Sequence, residues 1–258
     1  MADLATRLVA ARRSGGTVTL AAGDLPDDMA AAQAVQDDVW RLLDEPCGGW
    51  KIGGTSTESQ QRLGTAEPGA AKIPAGGFFP NYANMPVHPA HSPAIECEFA
   101  LKLGHDLPPR DSDYSEAEVA AAVSALAPAI EVAGTRFKGG IAEVLTRFTL
   151  TADNGFGMHI VTGTFRDNWR DYDMAAHTMR VTVNGREVGE GTGARVMGNP
   201  LNAMVWLANK QRKAGGLKAG EIVSTGSCTK IHPVQVGDTA YADFGTLGVV
   251  AVTFPKGD

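Results

Sequence analysis

The stretch Ser92-Pro93-Ala94-Ile95-Glu96-Cys97-Glu98-Phe99-Ala100-Leu101 decides how this chain is read. Ile95, Cys97, Phe99 and Leu101 alternate with Glu96, Glu98 and Ala100, the period of two expected of a strand with one buried face. Glu96 and Glu98 then leave the same face, about 6.5–7 Å apart along the backbone. Carboxylates crowded in this way repel unless a proton or a cation sits between them. Such an oxygen-rich pair suits Mg²⁺ or Mn²⁺, which favour hard ligands. A solvent-facing row of charges on an antiparallel sheet has the same spacing, and E-x-E alone is more often that. Pro128-Ala129-Ile130-Glu131-Val132 reads as a second strand of the same kind, and Glu131 completes a three-carboxylate set if the strands are neighbours.

Further strands are read at 239–243 and 248–254, and a hairpin at 180–188 turning on Asn184-Gly185. Helices are expected in the first ~45 residues, where Leu4, Leu8 and Val9, then Val35, Val39 and Leu42-Leu43, recur at helical spacing. Two more are expected, one from Glu116 to Leu126 behind Ser115, the other from Asn199-Pro200 to about Lys213. Strands outnumber helices without steady βα alternation, so the expectation is a predominantly β core with peripheral helices.

Composition narrows the function. The 258 residues are 43% hydrophobic and 20% charged with a net charge of −6, which suits a globular chain with a sizeable core. No basic stripe points to nucleic acid, and no run approaches the ~20 apolar residues of a membrane span. The start, MADLATRLVAARRSGG, does not read as a secretory signal. Three scattered cysteines, Cys47, Cys97 and Cys228, argue against a disulfide framework and a zinc knuckle, so a cytoplasmic location is expected. On the strand argument Cys97 is inert in the core, whereas Cys228 is expected to be accessible. Residues 189–194 fit a loose G-x-G-x-x-A, but a hairpin precedes them and the next helix starts late, so nucleotide binding is discounted. The six histidines show no zinc-hydrolase spacing, and no G-x-S-x-G occurs.

Six blocks carry a resemblance. Gly49-Trp50-Lys51-Ile52-Gly53-Gly54-Thr55-Ser56, Ile95 to Ala100 with Leu103 to Leu107, Pro128 to Val132, Ala152-Asp153-Asn154, Gly191 to Leu201 with Trp206-Leu207-Ala208-Asn209, and Gly220 to Thr229 follow one another along the chain. In this order they resemble the 2-oxopent-4-enoate (2-hydroxypenta-2,4-dienoate) hydratases of the fumarylacetoacetate hydrolase superfamily, a group that also contains 4-oxalocrotonate decarboxylases. The segment from Ala75 to Tyr82 departs from the hydratase pattern, which leaves the identity of the substrate open.

The resemblance implies an α+β fold, a mixed β-roll core with peripheral helices, divided into a helical portion at 1–48 and a catalytic β-roll at 49–258. It implies Glu96, Glu98 and Glu131 as ligands of Mg²⁺ or Mn²⁺, Lys51 as the proton shuttle, and Asp153 as a residue that orients water or holds Lys51. Thr225 and Ser227 would donate hydrogen bonds to the carboxylate of a small 2-oxo or 2-enol acid. Without the resemblance, Lys51 reads as an exposed lysine before a turn, and the Ser/Thr/Gly run as a turn. The implied reaction is hydration of a 2-oxo-4-enoate. The alternatives are decarboxylation of a 2-oxo-enedioate, where Lys72, Arg136 or Lys138 would hold the second carboxylate, another lyase or hydrolase reaction on a small 2-oxo acid, and a non-catalytic supporting subunit. The intact carboxylates and Lys51 argue against the last, and the lack of a clear Glu–His dyad argues against C–C bond hydrolysis. Members form homo-oligomers, so one is expected here, and association with a related pathway enzyme is a further implied partner.

Overall fold

The computed structural model describes residues 2–21 and 23–256. The chain opens with two helices, α1 (Ala2–Ser14) and α2 (Met29–Leu43). Asp28 caps α2 by accepting from Ala31 N at 2.7 Å, and Asp44 ends it in a left-handed conformation. There follow β1 (Cys47–Gly53), α3 (Thr57–Leu63), β2 (Gly69–Pro74), β3 (Phe78–Pro80), β4 (Ala83–Asn84) and β5 (Ala94–Leu103). Next come α4 (Glu116–Ala122), β6 (Val123–Ala133), α5 (Gly140–Val144), α6 (Arg147–Ala152), β7 (Gly157–Thr162), β8 (Thr178–Val183) and β9 (Arg186–Thr192). The chain closes with α7 (Pro200–Gln211), β10 (Ile222–Ser224), β11 (His232–Pro233), β12 (Thr239–Asp243) and β13 (Val249–Thr253).

The strands form an eight-stranded mixed sheet, ordered β2-β1-β10-β5-β6-β7-β3 with β11 on β5, and a five-stranded sheet, ordered β4-β13-β12-β8-β9. Ile95, Cys97, Phe99, Ile130 and Val132 of the first share one core with Val181, Ala240, Val250 and Val252 of the second. The two sheets therefore roll around a common apolar interior, the α+β architecture expected. The opposite face of the large sheet carries a smaller cluster of Ile73, Ala100, Ala127, Ala129 and Ile160. Helices α1 and α2 share a third cluster with Phe137, Ala152 and Phe156, so the N-terminal helices are packed onto the later part of the chain.

Two expectations need correction. The helix expected from Glu116 to Leu126 stops at Ala122, because Val123 to Ala133 pairs with β5 along almost its whole length. That buried ladder overrides the local helical signal. The strand 94–103 is not open to solvent on its charged side: both faces are buried along most of its length. Helices α3, α5 and α6 lie outside the sequence expectation, although α3 and α6 each open with a reciprocal capping box, Ser56 with Ser59 and Thr146 with Thr149.

Candidate metal and active site

The register of the central strands assembles the site. Glu96 on β5 lies directly opposite Glu131 on β6, and Glu98 faces Ala129. Like charges directly opposite each other are destabilising on a sheet, and here a third carboxylate joins them. One oxygen from each of Glu96, Glu98 and Glu131 can be chosen so that all lie within 4.8 Å of one another. Glu98 is 1% exposed and Glu131 0%, while Glu96 is half-buried. A solvated row of charges is thereby excluded.

The neighbouring strands bring the partners. Lys51 on β1 pairs with Ser224 on β10, and Ser224 with Ala100 on β5, so these side chains share the carboxylate face. The Lys51 ammonium sits 3.1 Å from Glu131 Oε1, and the residue is 5% exposed. Apart from that ion pair, neither oxygen of Glu131 has a hydrogen-bond partner among the described residues. Glu98 is differently held: its Oε2 accepts from Ser224 Oγ at 2.6 Å and from Gly226 N at 3.0 Å. Gly226 has φ +117°, and a Cβ there would lie 2.3 Å from Thr55 Oγ1, so only glycine brings this N–H to Glu98.

The charges shape one another. Burial, then Glu131, push Glu96 up to about 7, against the pull of Lys51 and the Ser227 hydroxyl. Burial, followed by Glu131 and Glu96, holds Glu98 well above the usual carboxylate range. Burial works against the charge on Lys51, but Glu131, Glu96 and Glu98 together outweigh it and raise its pKa. Three carboxylates thus crowd around one ammonium, that of Lys51, and a divalent cation between them would relieve their repulsion. The orphaned oxygens of Glu131, the donor-fixed Glu98 and the half-buried Glu96 form an all-oxygen donor set that fits a hard divalent ion.

Of the remaining expected residues, Ser227 stays beside the cluster, while Asp153 and Thr225 turn to other partners. Asp153 is 2% exposed; its Oδ1 accepts from Arg136 Nε at 2.6 Å, and its Oδ2 from Thr135 Oγ1 and the Arg136 backbone N–H. Its hydrogen bonds thus go to Arg136 and Thr135, not to Lys51. The Thr225 hydroxyl donates to the Phe99 carbonyl at 3.0 Å, and Ser227 Oγ donates to the Thr229 carbonyl at 2.7 Å. Ser227 also reaches Glu96, whereas Thr225 is turned into the strand pair. Cys228 is buried and not accessible as expected, since its N–H joins the Cys97 carbonyl inside the sheet. Cys97 is in the core, and burial pushes its thiol up to about 12. Of the cations considered for a second carboxylate, Arg136 is bound to Asp153, Lys138 is exposed, and Lys72 lies over the rings of Trp40 and Trp50. Ser224 and Gly226 escaped the sequence reading. Both lie in the Ser/Thr/Gly run, but only strand pairing shows which members face Glu98.

A cavity of about 700 Å³ opens between α2, α6, α7 and the β1–β2 edge, bordered by Trp40, Trp50, Lys51, Gly155 and Trp206. Its size is that of a small-molecule site, and Lys51 stands on its wall.

Comparison with known proteins agrees with this architecture. Residues 65–254 match the family model for the fumarylacetoacetate (FAA) hydrolase C-terminal domain. The chain is 31% identical to a 2-keto-4-pentenoate hydratase of Burkholderia vietnamiensis over 261 residues, covering 99% of this chain and 98% of that one. It is 28% identical to a 2-hydroxyhexa-2,4-dienoate hydratase of Comamonas testosteroni, covering 81% of this chain and 78% of that one. Among solved structures, 4-oxalocrotonate decarboxylase from Pseudomonas putida G7, complexed with magnesium and adipate, superposes with a TM-score of 0.87 at 24% identity, covering 98% of this chain and 96% of that one. With a family model spanning most of its length and a full-length relative at this identity, the chain belongs to the fumarylacetoacetate hydrolase family.

Proposed function

We propose that the protein is a divalent-metal-dependent hydratase, adding water to a 2-hydroxy-2,4-dienoate to give a 4-hydroxy-2-oxo acid. The observation that carries this reading is the buried triad of Glu96, Glu98 and Glu131 with the Lys51 ammonium 3.1 Å from Glu131, in a chain similar throughout to a hydratase. Glu96, Glu98 and Glu131 would hold the metal, Mg²⁺ or Mn²⁺. When bound, the ion supplies Lewis acidity toward the substrate's carboxylate and 2-oxygen.

The protein's own groups account for the proton movements. For the five-carbon substrate, the 2-hydroxyl loses its proton and C5 gains one, giving the α,β-unsaturated ketone. Water then adds its oxygen to C4 and C3 takes up a proton, so the net change is one water. Lys51, its ammonium 3.1 Å from Glu131, holds the proton that these steps pass to carbon. Its position on the cavity wall supports that role. Ser224 and the Gly226 N–H orient Glu98. Asp153, turned to Arg136, takes no direct part in this scheme, and Ser227 is the one of the two expected hydroxyl donors that stays beside the cluster. The same reading has the enzyme acting in the cytoplasm as a homo-oligomer, testable by light scattering, with association to a related pathway enzyme testable by co-purification.

The deciding experiment incubates metal-stripped protein with freshly generated 2-hydroxypenta-2,4-dienoate, with and without Mg²⁺ or Mn²⁺, and follows products by NMR. Metal-dependent 4-hydroxy-2-oxopentanoate is the expected result. No hydration, with CO₂ released from 2-oxohex-3-enedioate instead, would transfer the assignment to decarboxylation.

A further inference from the structure

The stem of Lys51 runs to Glu131 along a wall made of backbone. A Cβ added at Gly155 would lie 2.7 Å from Lys51 Cε, and one at Gly157 3.3 Å from the same atom. The segment that forms this wall is not self-supporting. Asn154, Gly155 and Phe156 are left-handed in succession, with φ of 52°, 66° and 57°. Two of them bear side chains, and such a backbone persists only where its surroundings hold it.

Three anchors hold it. At its start, Arg136 grips Asp153 through both the carboxylate and the carbonyl, with Nε to Oδ1 at 2.6 Å and a terminal nitrogen to the carbonyl at 2.7 Å. At its end, Arg12 on α1 donates to the carbonyls of Gly157 and Met158, each at 3.2 Å. Between them, Asn154 Nδ2 donates to the Lys72 carbonyl of β2 at 3.0 Å.

We propose that Arg136–Asp153 and Arg12 form a two-point clamp on residues 153–158, and that the clamp sets the Lys51 ammonium against Glu131 by way of Gly155 and Gly157. Asp153 and Arg12 are positioning residues, acting through the lysine. A lysine stem has many rotamers, and holding one of them needs a rigid neighbour. The clamp also gives the N-terminal helix a function: Arg12 belongs to α1, outside the region matched by the family model, yet it fixes one end of the wall.

The inference rests on the hydratase reading for its turnover readout only, and a second readout is independent of turnover. Crystal structures of Asp153→Asn and Arg12→Gln are compared with the wild type, alongside steady-state kinetics and Mg²⁺ titration. The expected result is that the Lys51–Glu131 contact opens in both variants. Turnover then falls about 10- to 100-fold, while KM and Mg²⁺ affinity are unchanged. In a Lys51→Met background, Asp153→Asn should cause no further fall, because its effect passes through the missing amine. Lys51 remaining on Glu131 in both variants would overturn the clamp, as would an undiminished effect of Asp153→Asn in the Lys51→Met background. If Asp153→Asn does not fold, Arg12→Gln gives the same two readouts from the other end of the segment. A wild-type protein inert toward the dienoate would end the hydratase reading, and the Lys51–Glu131 distance would still decide the clamp.

Discussion

Glu98 and Lys51 occupy one buried cluster and answer to different experiments. Glu98 is fixed by the Ser224 hydroxyl and the Gly226 N–H, both of which a glutamine amide oxygen can still satisfy. Glu98→Gln therefore leaves the fold intact while removing a ligand charge. Calorimetric titration should show Mg²⁺ affinity reduced by about 10-fold or more, with metal-dependent turnover lost. Full turnover and unchanged affinity would remove Glu98 from the ligand set. Lys51→Met keeps the length of the stem along Gly155 and Gly157 but removes the ammonium beside Glu131. The variant should bind Mg²⁺ as the wild type does and lose about 100-fold or more in kcat, the scale of a general acid–base group. Unchanged kinetics would exclude the lysine from the chemistry.

At the scale of elements, the site depends on the central strands being narrow on one side. Ala100, Ala127 and Ala129 are all fully buried on the face that carries Glu96, Glu98 and Glu131. Ala129 stands directly opposite Glu98, so Ala129→Leu would push a branched side chain into the space beside that carboxylate. It should cost about 1–3 kcal/mol of stability by overpacking and weaken Mg²⁺ binding, both measurable by denaturant titration with and without metal. Full affinity in a stable variant would show that the alanines are not needed for room. The same strands show what the sequence could reveal. Alternation located Glu96 and Glu98 on one face, and the short run around Glu131 read as a second strand, because side-chain direction follows from period two. That these strands are neighbours in register is a property of the ladder, and local pattern carries no such information. For that reason the local helical signal runs past Ala122, and the Gly226 N–H, a backbone donor from another strand's loop, leaves no mark in the sequence. The resemblance marks Asp153 as a site residue, while its partner Arg136, 17 positions earlier, enters only as one of three cations for the decarboxylation alternative. The pair meets only because the chain doubles back through α5 and α6.

The whole molecule should report the site through its stability. His159 on β7 has a buried Nδ1 with no hydrogen-bond partner among the described residues, and burial, then Arg12 and Arg136, draw its pKa down to about 4. Unfolded, it titrates near 6.5, so on acidification the unfolded chain binds this proton first. The His159 share of stability is complete above that value, is lost as pH falls toward 4, and is down by about 2 kcal/mol at pH 5. Glu96, raised to about 7, has the opposite sign: the metal-free folded state takes its proton first and is favoured as pH falls. Urea titrations at pH 7 and pH 5 in saturating Mg²⁺, for the wild type and His159→Gln, separate the two. The variant should lack the His159 share of the slope, and identical slopes would refute its burial as a neutral imidazole. The metal is the larger lever. A folded site that binds Mg²⁺ while the unfolded chain does not gains about 2.7 kcal/mol at 100 times the Kd. For a chain of this size, that corresponds to a rise in melting temperature of roughly 5–10 °C. Chelator-stripped protein should melt lower by that amount and recover on adding Mg²⁺, whereas Glu98→Gln should show little recovery. The comparison of wild type and variant assigns the effect to the site, because ions binding elsewhere would raise both melting temperatures alike. A wild-type melting curve indifferent to Mg²⁺ and Mn²⁺ would mean that the carboxylate cluster holds neither metal.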